Sequence, residues 1–233
     1  MKNVTSEALQ AAFELSAIMP FFQPILSVTG DRQGFEALSR FPNGITPDRV
    51  WAYAQQQGLA VALDRLALSA AITAGNRLAG PLFLNVCSSH FREPHALRKL
   101  AAPARVVWEV TESTALSDDD TRGIEQLKRL GYRIAMDDAG AGHSTVDRLY
   151  RLQPDIVKLD RPIVKLWAAG ARELLRYWIR CAHEVGALVI AEGVEDITWV
   201  SGLANEGIAA VQGYALGKPA PVEHWVRQEA AEY

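Results

Sequence analysis

Phe22-Gln23-Pro24-Ile25-Leu26-Ser27 is followed by the link Val28-Thr29-Gly30-Asp31-Arg32-Gln33, then by Gly34-Phe35-Glu36-Ala37-Leu38-Ser39-Arg40. Both flanks read as strands, and the link is too short to hold a crossover helix. It must be a hairpin, so one of the two strands runs against the other. Downstream the pattern changes. Leu82 to Cys87, Val106 to Val110, Arg133 to Met136, Ile156 to Leu159, Leu188 to Ala191 and Ala209 to Gln212 read as strands separated by helical patterns. Strand, helix, strand in repetition predicts parallel pairing, and eight strands close a barrel. The expected fold is α/β, a TIM-like (β/α)8 barrel with one antiparallel strand.

The 233 residues, 49% hydrophobic and 22% charged, suit one barrel domain with an extensive core. Residues 1–20 read as an N-terminal amphipathic helix packed on a domain of residues 21–233. They do not read as a signal peptide, because Glu7 and Glu14 interrupt the apolar residues. No run reaches the roughly 18 apolar residues of a membrane span, and no sensor or receiver region is read. A net charge of −3 argues against binding DNA or RNA duplexes, which needs a basic surface. It leaves room for a small nucleotide. Cys87 and Cys181 read as reduced core residues, which places the chain in the cytoplasm.

Helix ends are also legible. Thr46 and Pro47 read as the N-cap and first position of a helix that stops at Gly58. Ser117 caps a second, with Asp118, Asp119 and Asp120 in its first turn and Lys128 and Arg129 in its last, which suits the helix dipole. Ile124, Leu127 and Leu130 supply its apolar face.

Polar residues recur at the downstream ends of the strands: Glu36, Asn85, Glu109, the pair Asp137 and Asp138, Lys158, and Glu192. Alternation puts Glu36 and Arg40 on one face. It separates Glu109 from Glu112, so Glu109 is assigned to the pocket and Glu112 to support of a neighbouring loop. Carboxylates are costly to bury without a cation, and strand carboxyl ends are where barrels keep their sites. Oxygen donors without histidine or thiolate favour Mg²⁺ or Mn²⁺, and the adjacent aspartates suggest two ions, served one each or by a bridge. Lys158 would neutralise charge or hold a water; Glu192 would accept its proton. His90, His95, His143, His183 and His224 lack ligand spacing and read as surface or loop residues. Trp51, Trp167, Trp178 and Trp199 read as packing on helix faces.

Taken together, these residues resemble a known family. Phe35-Glu36-Ala37-Leu38-Ser39-Arg40 is similar to the motif that names the EAL domains, bacterial phosphodiesterases of cyclic di-GMP. The likeness continues through Gln23-Pro24-Ile25, Leu84-Asn85-Val86, Glu109-Val110-Thr111-Glu112, Asp137-Asp138, Lys158-Leu159-Asp160-Arg161, Ala191-Glu192-Gly193-Val194-Glu195, Gln212-Gly213-Tyr214 and Lys218-Pro219. It implies hydrolysis of cyclic di-GMP to linear pGpG with Mg²⁺ or Mn²⁺. Glu36, Asn85, Glu109 and Asp137 would hold one ion; Asp137, Asp138 and Glu192 would hold the second or its water. Lys158 would position that water, and Glu192 or Glu195 would assist proton transfer. Gln23, Leu38, Arg40, Asp64 and Gln212 match positions that hold the dinucleotide.

One loop departs from the pattern. Active members usually carry Asp-Asp-Phe-Gly-Thr-Gly-Tyr-Ser, whereas residues 137–144 place Ala139, Ala141 and His143 where Phe, Thr and Tyr stand. In the family that loop couples metal binding to dimer contacts, and Glu112 matches the acid that steadies it. The resemblance thus also implies an alternative: a weak or inactive cyclic di-GMP receptor or protein-binding regulator. A homodimer and a protein partner both stay open.

Overall fold

The computed structural model describes residues 2–14, 17–111, 116–141 and 144–231. Nine strands form one sheet: β1 (Met19–Ser27), β2 (Arg32–Arg40), β3 (Leu82–Val86), β4 (Val106–Val110), β5 (Arg133–Ala139), β6 (Ile156–Leu159), β7 (Leu188–Ala191), β8 (Ala210–Val211) and β9 (Ala220–Pro221). Strands β2 to β8 run parallel in sequence order. β1 closes the barrel by pairing antiparallel with both β2 and β8. The hairpin thus makes β1 the reversed strand. β9, which the sequence did not suggest, adds at Phe21 and Phe22 of β1. The expected strand limits move outward at the start of β1 and β2 and at the end of β5.

The helices are α1 (Lys2–Glu14), α2 (Pro47–Gln56), α3 (Ala60–Gly75), α4 (Pro94–Leu100), α5 (Asp118–Arg129), α6 (Val146–Leu152), α7 (Arg161–Ala168), α8 (Glu173–Glu184), α9 (Trp199–Glu206) and α10 (Val222–Ala231). None is long and apolar enough to cross a membrane among the described residues. Ser117 does cap α5: its hydroxyl accepts from Asp120 N, and Asp120 reaches back to Ser117 N at 2.8 Å. Asp120 also takes the Arg92 Nε–H at 2.8 Å, which ties the helix start to the neighbouring 3₁₀ turn. Leu130 is a correction. It sits at the C-cap and stays exposed, since the helix turns out of the core one residue too early to bury it.

Period-two alternation sorts each strand. Residues facing the helices, among them Phe35, Leu84, Trp108, Ile134, Val157 and Val189, build the main core. Inward residues form two levels. Ile25, Phe83, Val107, Ala135, Ile156, Ile190 and Ala210 make a dry apolar floor. β2 contributes Gly34 at the matching position. A Cβ there would lie 2.5 Å from Pro81 O and 3.1 Å from the Phe83 ring, so a side chain at Gly34 has no room. A smaller cluster lies outside the barrel, where α1 places Leu9 and Ala12 against Phe41, Val50, Ala54 and Leu63.

Candidate metal centre and nucleotide pocket

Two residues along each strand from the floor, chemistry replaces hydrocarbon. Ile25 gives way to Gln23 on the reversed β1. Gly34, Phe83, Val107, Ala135, Ile156, Ile190 and Ala210 give way to Glu36, Asn85, Glu109, Asp137, Lys158, Glu192 and Gln212. Lys158 is 1% exposed and stands at the centre. Its Nζ lies 2.7 Å from Glu109, 2.7 Å from Glu192, 2.9 Å from Asp137 and 3.3 Å from Glu36. An ammonium has three protons, so it cannot donate to four carboxylates at once.

The charge balance makes the same point. Burial opposes the charge on Lys158, but Asp137, Glu109, Glu192 and Glu36 outweigh it and hold the ammonium protonated well above the usual lysine range. Burial pushes Glu109 and Glu192 well above the usual carboxylate range, and the single Lys158 only partly opposes it. Were all five carboxylates ionised, counting Asp138, the one ammonium would leave four negative charges. Two divalent cations would cancel them.

The donor set fits such ions. Asp137, Asp138 and Glu192 bring ligand oxygens within 4.8 Å of one another. Asn85 Oδ1 and Glu109 Oε2 are buried and receive no hydrogen bond, which leaves them available to a cation. Both Glu36 oxygens are held in place, one by Asn85 Nδ2 at 3.3 Å and the other by Gln212 Nε2 at 2.6 Å. Gln212 Nε2 also reaches Gln23 Oε1, and Gln23 donates to Gly217 O.

Consecutive aspartates should face opposite ways on a regular strand. Here the β5–β6 register breaks between Met136 and Ala139, and Asp138 takes φ +47°, a left-handed conformation that aspartate tolerates better than most residues. The break swings both carboxylates toward one spot. Ser144 Oγ donates to Asp137 O at 2.7 Å and secures the turn.

These groups open into a cavity of about 1010 Å³, lined also by Leu38, Arg40, Asp64 and Tyr214. Arg40 lies over the Phe21 ring at 5.5 Å. Asp64 is buried, accepts from Cys87 N at 3.0 Å and lies 3.2 Å from His90 Nε2. His90 is therefore buried behind the pocket wall, which corrects its reading as a surface residue. Trp51, expected only to pack, also lines the cavity. The α2 face pattern of Asp48, Trp51, Ala52 and Gln55 was the signal for it. Glu195 is not brought into the site. It is exposed and pairs with Lys165 at 3.2 Å and with Arg161, whose hydrogen bonds lower its pKa. Position 194 lies buried, so the chain turns Glu195 outward. Glu112 and His143 lie outside the described residues; Ala139 is fully buried beside the aspartates. Both cysteines are free thiols.

A family model described as the EAL domain matches residues 6–219. The chain belongs to the EAL domain family. This EAL domain is 29% identical over 240 residues to the bifunctional diguanylate cyclase/cyclic di-GMP phosphodiesterase MucR of Pseudomonas aeruginosa, covering 92% of the chain and 35% of MucR. A solved MucR phosphodiesterase in complex with c-di-GMP matches with a TM-score of 0.81 at 28% identity, over 95% of this chain and 99% of that one. Klebsiella pneumoniae BlrP1, solved with manganese and cyclic di-GMP, matches with a TM-score of 0.77 at 26% identity, over 88% and 57%. The EAL domain spans about a third of the length of the curated relatives it matches.

Proposed function

We propose that this EAL domain hydrolyses one phosphodiester bond of cyclic di-GMP to give linear pGpG, using two Mg²⁺ or Mn²⁺ ions. The observation that carries this reading is the surplus of buried carboxylate around Lys158, which a cation pair would neutralise. Glu36, Asn85, Glu109 and Asp137 would hold one ion, and Asp137, Asp138 and Glu192 the other. Bound there, the ions supply Lewis-acid stabilisation of charge on the phosphate.

The chain's own groups do the rest. Glu192, whose pKa burial raises in the metal-free site, would be ionised once cations offset that burial and would then take the proton of the attacking water. Lys158 remains protonated and orients that water or screens the incoming phosphate. Water oxygen bonds to phosphorus, the P–O3′ bond breaks, and the 3′ oxygen leaves as a hydroxyl, taking the proton that Glu192 removed from the water. Arg40 and Asp64 line the cavity where the rest of the dinucleotide must lie. Gln23 and Gln212 line the same cavity and would contact the dinucleotide, and Gln212 also orients Glu36. The two free thiols support a cytoplasmic setting. Incubation with cyclic di-GMP and Mn²⁺ or Mg²⁺, followed by chromatography, tests the reading. Accumulation of pGpG is expected; its absence with every metal rejects it.

A further inference from the structure

Helix α2 has two working faces. Val50 and Ala54 point into the cluster shared with α1. Asp48, Trp51, Ala52 and Gln55, spaced i, i+3, i+4 and i+7, all line the cavity. Trp51 is half-buried, and Phe41 packs edge-on against it at 5.4 Å and 68°. Packing thus fixes the indole while leaving it part of the pocket wall. Only one other aromatic residue lines that cavity among the described residues. This is Tyr214, which is 64% exposed and has Lys218 Nζ 5.6 Å from its ring centre. A ring already held costs less entropy on binding than one free in solvent.

We propose that Trp51 is the platform on which one guanine of the dinucleotide stacks, while Asp48 reads that base's Watson–Crick edge. The inference rests on the substrate class named above. With one phosphate placed at the acidic cluster, a cyclic dinucleotide must send its bases into the remaining cavity. Stacking on an indole is tolerant of base identity, so discrimination needs polar groups at the ring edge. Guanine offers N1–H and an exocyclic amine, which suit the two oxygens of one carboxylate. Adenine offers N1 as an acceptor, which would face the Asp48 oxygens without a proton between them.

Calorimetry with cyclic di-GMP tests this in calcium, the ion with which a BlrP1 complex was solved. Trp51→Leu keeps an apolar contact for Phe41 but removes the ring, and should weaken binding roughly tenfold or more. Trp51→Phe should retain most of the affinity. In turnover, Trp51→Leu should raise KM while kcat holds. Asp48→Asn should narrow the preference for cyclic di-GMP over cyclic di-AMP. Trp51→Leu binding as tightly as the unaltered chain, whatever its melting temperature, would mark Trp51 as packing alone and overturn the inference. An unchanged base preference in Asp48→Asn removes the edge reader. If the unaltered chain neither binds nor cleaves cyclic di-GMP, this inference falls together with the proposed function. If it does either, the Trp51 result stands or falls by itself.

Discussion

The floor of the barrel and the polar level above it differ by two residues per strand, yet they obey opposite rules. At the floor, Phe83, Val107, Ile156 and Ile190 are buried against one another and ask nothing of solvent. One step along, Glu36, Glu109, Asp137 and Glu192 crowd one ammonium in the same low-dielectric interior. The lower level holds the barrel together. The upper level strains it, because burial raises the cost of every charge that Lys158 leaves uncompensated.

That contrast can be broken from either side. Glu36→Ala should have the largest effect. It removes a proposed metal ligand anchored by Asn85 and Gln212, so turnover should fall beyond the roughly 10–100-fold typical of losing a partner behind a metal ligand. Circular dichroism should show an intact barrel. Phe83→Ala should do the reverse, costing about 3–5 kcal/mol in urea unfolding while the folded fraction still turns over. Were the floor variant to lose activity without losing stability, the division between levels would be wrong.

Lys158→Met should destabilise by about 3–5 kcal/mol in chelator, as expected when one partner of a buried ion pair is removed. Added Mn²⁺ should restore part of that loss by binding only the folded state. Glu192→Gln sharpens the comparison through pH. Because its pKa is raised in the fold, native Glu192 keeps a proton that the unfolded chain gives up above the ordinary carboxylate range. Without metal, stability should therefore fall as pH rises through that window. The Gln variant should show a shallower fall in melting temperature, and no pGpG. The smallest effect on stability belongs to Asp138→Gly. It relieves a left-handed residue and should raise stability in chelator by about 1 kcal/mol or less, while turnover falls with the loss of a proposed metal ligand.

How much of this was legible in the sequence depends on whether a feature obeys a period. The hairpin, the strand order and the polar ends of β2 to β7 follow from alternation and link length. The two-residue step from Val107 to Glu109 or from Ile156 to Lys158 is visible in the bare chain. Asp137 and Asp138 are different: parity sends them apart, and only a register break with an unusual backbone angle reunites them. The burial of His90 depends on Asp64, 26 positions away in sequence and on another element, so no local pattern announces it. Glu195 shows the converse error. It stands among matched motif residues, but the turn after Glu192 points it at Arg161 and Lys165. Trp51 was assigned to packing because a tryptophan at helical spacing usually packs; here it does so on one side only.

The reversed first strand has a mechanical corollary. Because β1 descends where its neighbours ascend, the chain enters the barrel from the rim that carries the acids, and α1 comes to rest nearby. Leu9 and Ala12 brace the back of α2, whose front is the wall holding Trp51. α1 therefore rests on two helices, α2 and α3, and both of them line the mouth of the cavity.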